Sequence, residues 1–170
     1  MNRRNATRAE AHAPTEVPQE GLSVGYLLSR ARASLLSSLD REFQSFGLNA
    51  MQFGVLKHVV QGDADTAADL CRVMYYDGGS MTRLLDRVEE RGLLRRERCT
   101  EDRRVVYLRA TANGRALLPR LKAVAVSVTE AHLAGFSAAD TESLKAYLKR
   151  MIENGQPQGD NLQLHPGGKS

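Results

Sequence analysis

Apolar residues recur at three- and four-residue steps along most of the chain, and the stretch after Gly92 breaks that period. Leu93 to Arg98 and Arg104 to Arg109 read instead as two short strands. Val105, Val106, Tyr107 and Leu108 supply the β-branched and aromatic character, and Thr100-Glu101-Asp102-Arg103 forms a polar tip between the strands. A lone hairpin set among helices narrows the possible folds more than any other feature of the chain.

The helices around it can be read from their apolar stripes and caps. Val24, Leu28, Ala31, Leu35, Leu39, Phe43 and Phe46 mark one long amphipathic helix that Gly47 ends. Asn49 followed by Gln52 is a capping-box pattern, which opens a second helix carrying Met51, Val55, Leu56, Val59 and Val60, closed by Gly62. Thr66 starts a short third helix through Met74, with Asp69 in its first turn where the helix dipole favours negative charge. Tyr75-Tyr76-Asp77-Gly78-Gly79 reads as a flexible turn, and a fourth helix with Met81, Leu84, Leu85 and Val88 inward stops at Gly92. After the hairpin, Thr111 caps a fifth helix with the stripe Leu117, Leu121, Val124 and Val128, running to about Ala134, in which Pro119 should cause a bend or a delayed start. Ser137 with Asp140 opens a last helix carrying Leu144, Tyr147, Leu148, Met151 and Ile152. The order predicts a mainly α (α+β) fold, a winged helix-turn-helix with N- and C-terminal dimerisation helices. The end helices have apolar faces too wide for one small domain to cover, so a two-fold dimer is expected to bury them. Residues 1–20 read as a flexible arm, 21–154 as the folded domain and 155–170 as a disordered tail.

Composition excludes several classes of function. The two cysteines, Cys71 and Cys99, have no Cys-x-x-Cys spacing, and the four histidines are scattered, so neither a disulfide framework nor a metal or other cofactor is expected. The chain has no nucleophile elbow, P-loop or Gly-x-Gly-x-x-Gly turn, which leaves no residue set for an enzyme. With no long apolar run and no secretory h-region near the N-terminus, the expected location is the cytoplasm, away from membranes. Charge is more informative. Arginines 91, 95, 96, 98, 103, 104 and 109 face only Glu97, Glu101 and Asp102, a local excess of +4 against +4 for the whole chain. Such a cluster suits phosphate contact, and on charge alone it reads equally well as a solvated hairpin.

Placed in a helix-turn-helix, the fourth helix would enter a DNA major groove. Its outer side carries Ser80, Thr82, Arg83 and Arg87. Ser80 and Thr82 lie near the helix N-terminus, where free amides favour a phosphate. Arg83 is long enough for a bidentate guanine contact, and Arg87 suits the backbone. At the hairpin tip, Asp102, Arg103 and Arg104 suit a narrow minor groove, with the carboxylate holding a guanidinium in one orientation.

These residues resemble the MarR family of transcriptional regulators. Asp102-Arg103-Arg104 with Leu108 and Thr111 is similar to the family's wing signature, and Met81-Thr82-Arg83-Leu84-Leu85-Asp86-Arg87 to its recognition helix. Glu90-Arg91-Gly92-Leu93-Leu94-Arg95-Arg96 and Thr111-Ala112-Asn113-Gly114 are similar to the segments flanking the wing. Ala110 departs from the family's usual Leu, which implies looser packing behind the wing. The resemblance implies a homodimeric repressor on a pseudo-palindromic double-stranded DNA operator, released by a small aromatic or phenolic effector, often a carboxylate. Tyr26, Arg30, Met51, His58 and Tyr76 are the candidate ligand-binding residues, each of which also reads as an ordinary core or surface residue. Two alternatives remain. One is a redox-responsive repressor sensing through Cys99, whose arginine neighbours should favour thiolate. The other is a winged-helix adaptor that binds protein without DNA specificity.

Overall fold

In the computed structural model the described residues are 23–102 and 104–155. They form α1 (Val24–Phe43), α2 (Ala50–Gln61), α3 (Ala67–Met74), α4 (Gly78–Glu90), β1 (Leu94–Arg98), β2 (Val106–Ala110), α5 (Ala112–His132) and α6 (Ala138–Asn154). The chain divides into two compact units between Ser34 and Leu35. In the first unit, the opening turns of α1 leave Val24, Tyr26 and Leu27 exposed. Everything that follows concerns the second unit unless stated.

Local signals set most helix ends where the sequence puts them. A 3-10 turn, Gln44–Phe46, follows α1, and Gly47 then takes the left-handed conformation at φ 66°. Asn49 and Gln52 form the expected reciprocal capping box on α2, and Gly62 ends that helix. Thr66 with Asp69 and Ser137 with Asp140 do the same for α3 and α6.

The core joins α2, the helix-turn-helix and the hairpin. Val55, Leu56, Leu70, Met81, Leu85, Val88, Leu94, Leu108 and Leu121 are all buried in it. On α4 the inward residues are the predicted Met81, Leu84, Leu85 and Val88, one face of a 3.6-residue period. The strands pair antiparallel, with Leu94 opposite Ala110 and Arg98 opposite Val106. Leu94, Leu108 and Ala110 turn inward while Arg95 and Arg98 face solvent. Beyond its own ladder, β2 is tied to the start of the helix-turn-helix. The Leu108 N–H donates to the Asp65 carbonyl at 2.8 Å, and the Arg109 guanidinium bonds the Asp65 carboxylate at 2.8 Å.

The structure corrects three expectations and narrows a fourth. Gly78 and Gly79 are not a flexible turn but the first residues of α4. Asp77 is its N-cap and accepts the Ser80 N–H at 2.9 Å, so the helix starts before the apolar stripe does. The second strand begins at Val106 rather than Arg104, because Asp102 closes a tight turn. Its carboxylate accepts the Arg104 N–H at 2.9 Å and its carbonyl the Val105 N–H at 3.0 Å. Pro119 does not delay α5, which starts at Ala112. On α5 Leu118 is buried beside the expected Leu121 and Val128, whereas Leu117 is only half-buried.

Candidate nucleic-acid interface

The second helix of the α3–turn–α4 unit and the hairpin that follows it bring most of the proposed DNA-facing residues onto α4 and β1–β2. Arg83 and Arg87 are exposed on α4, opposite the buried stripe. The α4 N-terminus is less open than its sequence implies. The Asp77 carboxylate occupies the Ser80 N–H, and Thr82 turns its hydroxyl back to the Gly78 carbonyl at 3.0 Å. Bonds from the Ser80 N–H and hydroxyl hold the Asp77 carboxyl below the usual carboxylate range. An ionised carboxylate there competes with any phosphate for the helix dipole.

The arginine cluster sorts into two sets. Arg96 reaches from β1 back to α4, bonding Glu89 at 2.6 Å and Asp86 at 2.7 Å. Its backbone N–H also donates to Glu89 at 2.9 Å. Partial burial opposes its charge, and the bonds from Asp86 and Glu89 outweigh that and raise its pKa. Arg95 pairs with Glu97, and Arg109 lies between Asp65 and Glu97 and over the Tyr107 ring. Arg91 bonds the Phe46 carbonyl. The second set is Arg83, Arg87, Arg98 and Arg104. All are exposed, and none has a carboxylate partner among the described residues. Charge counting along the chain could not make this division, and it passed over Arg98 as a contact. Arg103 lies outside the described residues. The Asp102 carboxylate serves the Arg104 backbone N–H rather than the Arg104 guanidinium, so it shapes the turn and leaves that side chain free.

The ligand candidates fall in both units. Tyr26 and Arg30 are exposed on the opening turns of α1, in the first unit. In the second unit, Met51 and Tyr76 pack half-buried against the core. His58 is engaged through Nδ1 with the Asp63 carboxylate at 2.9 Å. A groove between the later turns of α1 and α5 is lined by other residues, among them Ser38, Arg41, Val128 and His132. Cys99 is half-buried at the end of β1. Its thiol is held below the ordinary value, first by the Asp102 N–H, then by the Glu101 N–H, with Tyr107 adding to them against slight desolvation. Peptide dipoles, not the neighbouring arginines, are therefore the cause. Among the described residues no cluster of His, Cys, Asp or Glu could hold a metal ion, and no helix is long and apolar enough to cross a membrane.

Comparison with known proteins gives a consistent set of relatives. Residues 46–105 match a model of the MarR family. The transcriptional regulator PecS of Dickeya dadantii is 30% identical over 127 residues, covering 73% of this chain and 76% of PecS. The crystal structure of the transcriptional regulator PA3341 superposes with a TM-score of 0.67 at 29% identity, over 76% of this chain and 96% of that one. CouR from Rhodococcus jostii RHA1, solved bound to p-coumaroyl-CoA, gives 0.66 at 26% identity, over 75% of this chain and 90% of CouR.

Proposed function

Because this chain belongs to the MarR family of transcriptional regulators, a DNA-binding family and not one of enzymes, we propose that it acts as a homodimeric repressor on a short pseudo-palindromic operator. Its release would come from a small aromatic or phenolic ligand, a carboxylate or its conjugate. The observation that carries the DNA reading is the set of unpaired guanidiniums on α4 and the wing, standing beside arginines that are neutralised by carboxylates. Arg83 is the base-reading residue, and Arg87, Arg98 and Arg104 neutralise backbone phosphates. Arg103, at the wing tip, is assigned to the minor groove rather than to a backbone phosphate. The dimer reading is supported by apolar side chains left in solvent near the C-terminal end: Phe136, Tyr147, Met151 and Ile152. With two-fold symmetry, half-site centres lie about 10–10.5 bp apart.

The ligand proposal rests on CouR, solved with the coenzyme A conjugate of a phenolic acid. A ligand weakens DNA binding only by its differential affinity for the two spacings of the reading heads. Met51, His58 and Tyr76 remain the proposed ligand contacts of the second unit, and Tyr26 and Arg30 those of the first. A second reading, a redox response through Cys99, is supported by its depressed thiol pKa at the wing.

The test is selection of duplexes from a random pool by the full-length protein, followed by footprinting and titration in salt. Three phosphate-bound arginines in each protomer give a slope of about −5 in log K against log salt. Arg87→Ala removes two of those contacts per dimer and lowers the slope by about 1.8. Protection without two-fold symmetry, or a flat salt response, overturns the reading. Addition of p-coumaroyl-CoA or p-coumarate tests release in the same assay.

A further inference from the structure

The α3–α4 turn holds a residue that neither its fold nor its packing requires. Tyr75 is the one non-glycine residue with positive φ among the described residues, at φ 50° and ψ 52°. Glycine takes this left-handed conformation freely, whereas a bulky side chain adopts it at a cost. A buried aromatic ring contributes enough apolar area to offset such a cost. Here the ring is 78% exposed, the most exposed of the large apolar side chains, so burial offsets little. The adjacent Tyr76 packs against the core and accounts for the apolar contact this turn needs.

Its position suggests what the exposed phenol does. Tyr75 caps the C-terminus of α3 and stands two residues before Asp77, the N-cap of α4. In a helix-turn-helix the N-terminal end of the second helix enters the groove, which brings the preceding turn to the groove edge where phosphates run. The usual anchor at that edge, the free amides of the helix N-terminus, is compromised because the Asp77 carboxylate sits on the Ser80 N–H. Gly78 and Gly79 have no side-chain donor. The Tyr75 hydroxyl is thus the exposed side-chain donor on this stretch, and tyrosine hydroxyls are regular phosphate contacts in protein–DNA interfaces.

We propose that Tyr75 is a DNA-backbone anchor, its hydroxyl donating to a phosphate at the groove edge beside α4, and that its backbone strain is retained for this contact. This role rests on the DNA-binding reading above. An uncharged donor adds affinity without adding to counterion release, and that separates it from the arginines.

The test uses the full chain and the duplex that the wild-type protein selects, with two variants. Tyr75→Phe keeps the ring and removes the hydroxyl. Tyr75→Asn suits the left-handed conformation and removes both. Both are expected to bind about ten- to a hundredfold more weakly, the range for two lost hydrogen bonds per dimer, with the salt slope unchanged. The thermal midpoint of Tyr75→Asn should equal or exceed that of wild type. Full affinity in Tyr75→Phe, or a lowered midpoint in Tyr75→Asn, overturns the assignment. If the wild type binds with a steep salt slope that Arg87→Ala reduces while Tyr75→Phe binds fully, only the Tyr75 role fails. If the wild type selects no duplex, the DNA-binding reading and the Tyr75 role fail together.

Discussion

Replacing Arg96 by Met keeps most of the side-chain stem and removes the guanidinium that joins β1 to Asp86 and Glu89 of α4. Both carboxylates stand partly in solvent, at 48% and 37% exposure. Each charged contact is therefore worth about 0.2–1 kcal/mol, not the larger value of a dry pair. The loss also leaves two carboxylates three residues apart on one helix, whose repulsion adds about 0.2–0.5 kcal/mol. Arg96→Met should thus destabilise the domain by about 0.6–2.5 kcal/mol, lowering the urea midpoint with an unchanged m-value. DNA affinity should fall with it, because the wing is no longer held against α4, while the salt slope stays as in wild type. A double-mutant cycle with Asp86→Ala isolates the contact, with an expected coupling of about 0.5–1 kcal/mol. Coupling under about 0.3 kcal/mol would refute the clamp. A slope reduced by about 1.8 would show that Arg96 touches phosphate instead.

Gly114 packs so closely on the residue before β1 that an added Cβ would press into the Leu93 carbonyl and lie 3.0 Å from Leu56 Cδ1. Gly114→Ala should therefore cost about 1–3 kcal/mol in urea denaturation despite its better helix propensity, and an unchanged midpoint counts against this packing. Thr66→Ala removes the α3 cap and should cost about 1 kcal/mol by the same measurement; a loss confined to a few tenths would mean the cap is frayed in solution. The Asp69 carboxyl is held below its ordinary 3.8, first by the Thr66 hydroxyl, against partial burial, and further by the Asp65 and Thr66 N–H groups and Arg72. A depressed carboxyl stabilises the fold above its unfolded value and loses that contribution as pH falls through its folded value. The stability gap between wild type and Asp69→Ala should be full near neutral pH and shrink in acid; a gap constant with pH contradicts the assignment. Cys99 should be alkylated by iodoacetamide at pH 7 faster than Cys71, which packs against the core, and the reverse order by mass spectrometry would oppose a depressed Cys99 thiol.

The correct parts of the sequence reading are those that depend on near neighbours. Capping boxes at Asn49 and Ser137 each need two residues three apart, and both form; Thr66 starts α3 as expected, and its pairing with Asp69 is a third box that the dipole reading of Asp69 does not name. The buried stripe of α4 came from periodicity alone. Errors arose where a polar residue had a choice of partner. Asp77 reads as part of a turn beside Gly78 and Gly79, yet its carboxylate caps α4 by accepting the Ser80 N–H. Asp102 accepts the Arg104 N–H and so closes the turn, a backbone partner that charge matching along the chain does not suggest.

The order of helices, the position of the hairpin and the basic excess around it were settled by the chain itself, since cap chemistry, apolar period and composition act over a few residues. Which arginines are free to meet DNA was decided only by tertiary structure. Arg96 and Arg98 are two residues apart and chemically identical. The fold sets one against Asp86 and Glu89 and leaves the other in solvent. A guanidinium's partner is fixed by which carboxylates the packed helices and strands bring within 4 Å, and sequence separation carries no record of that distance.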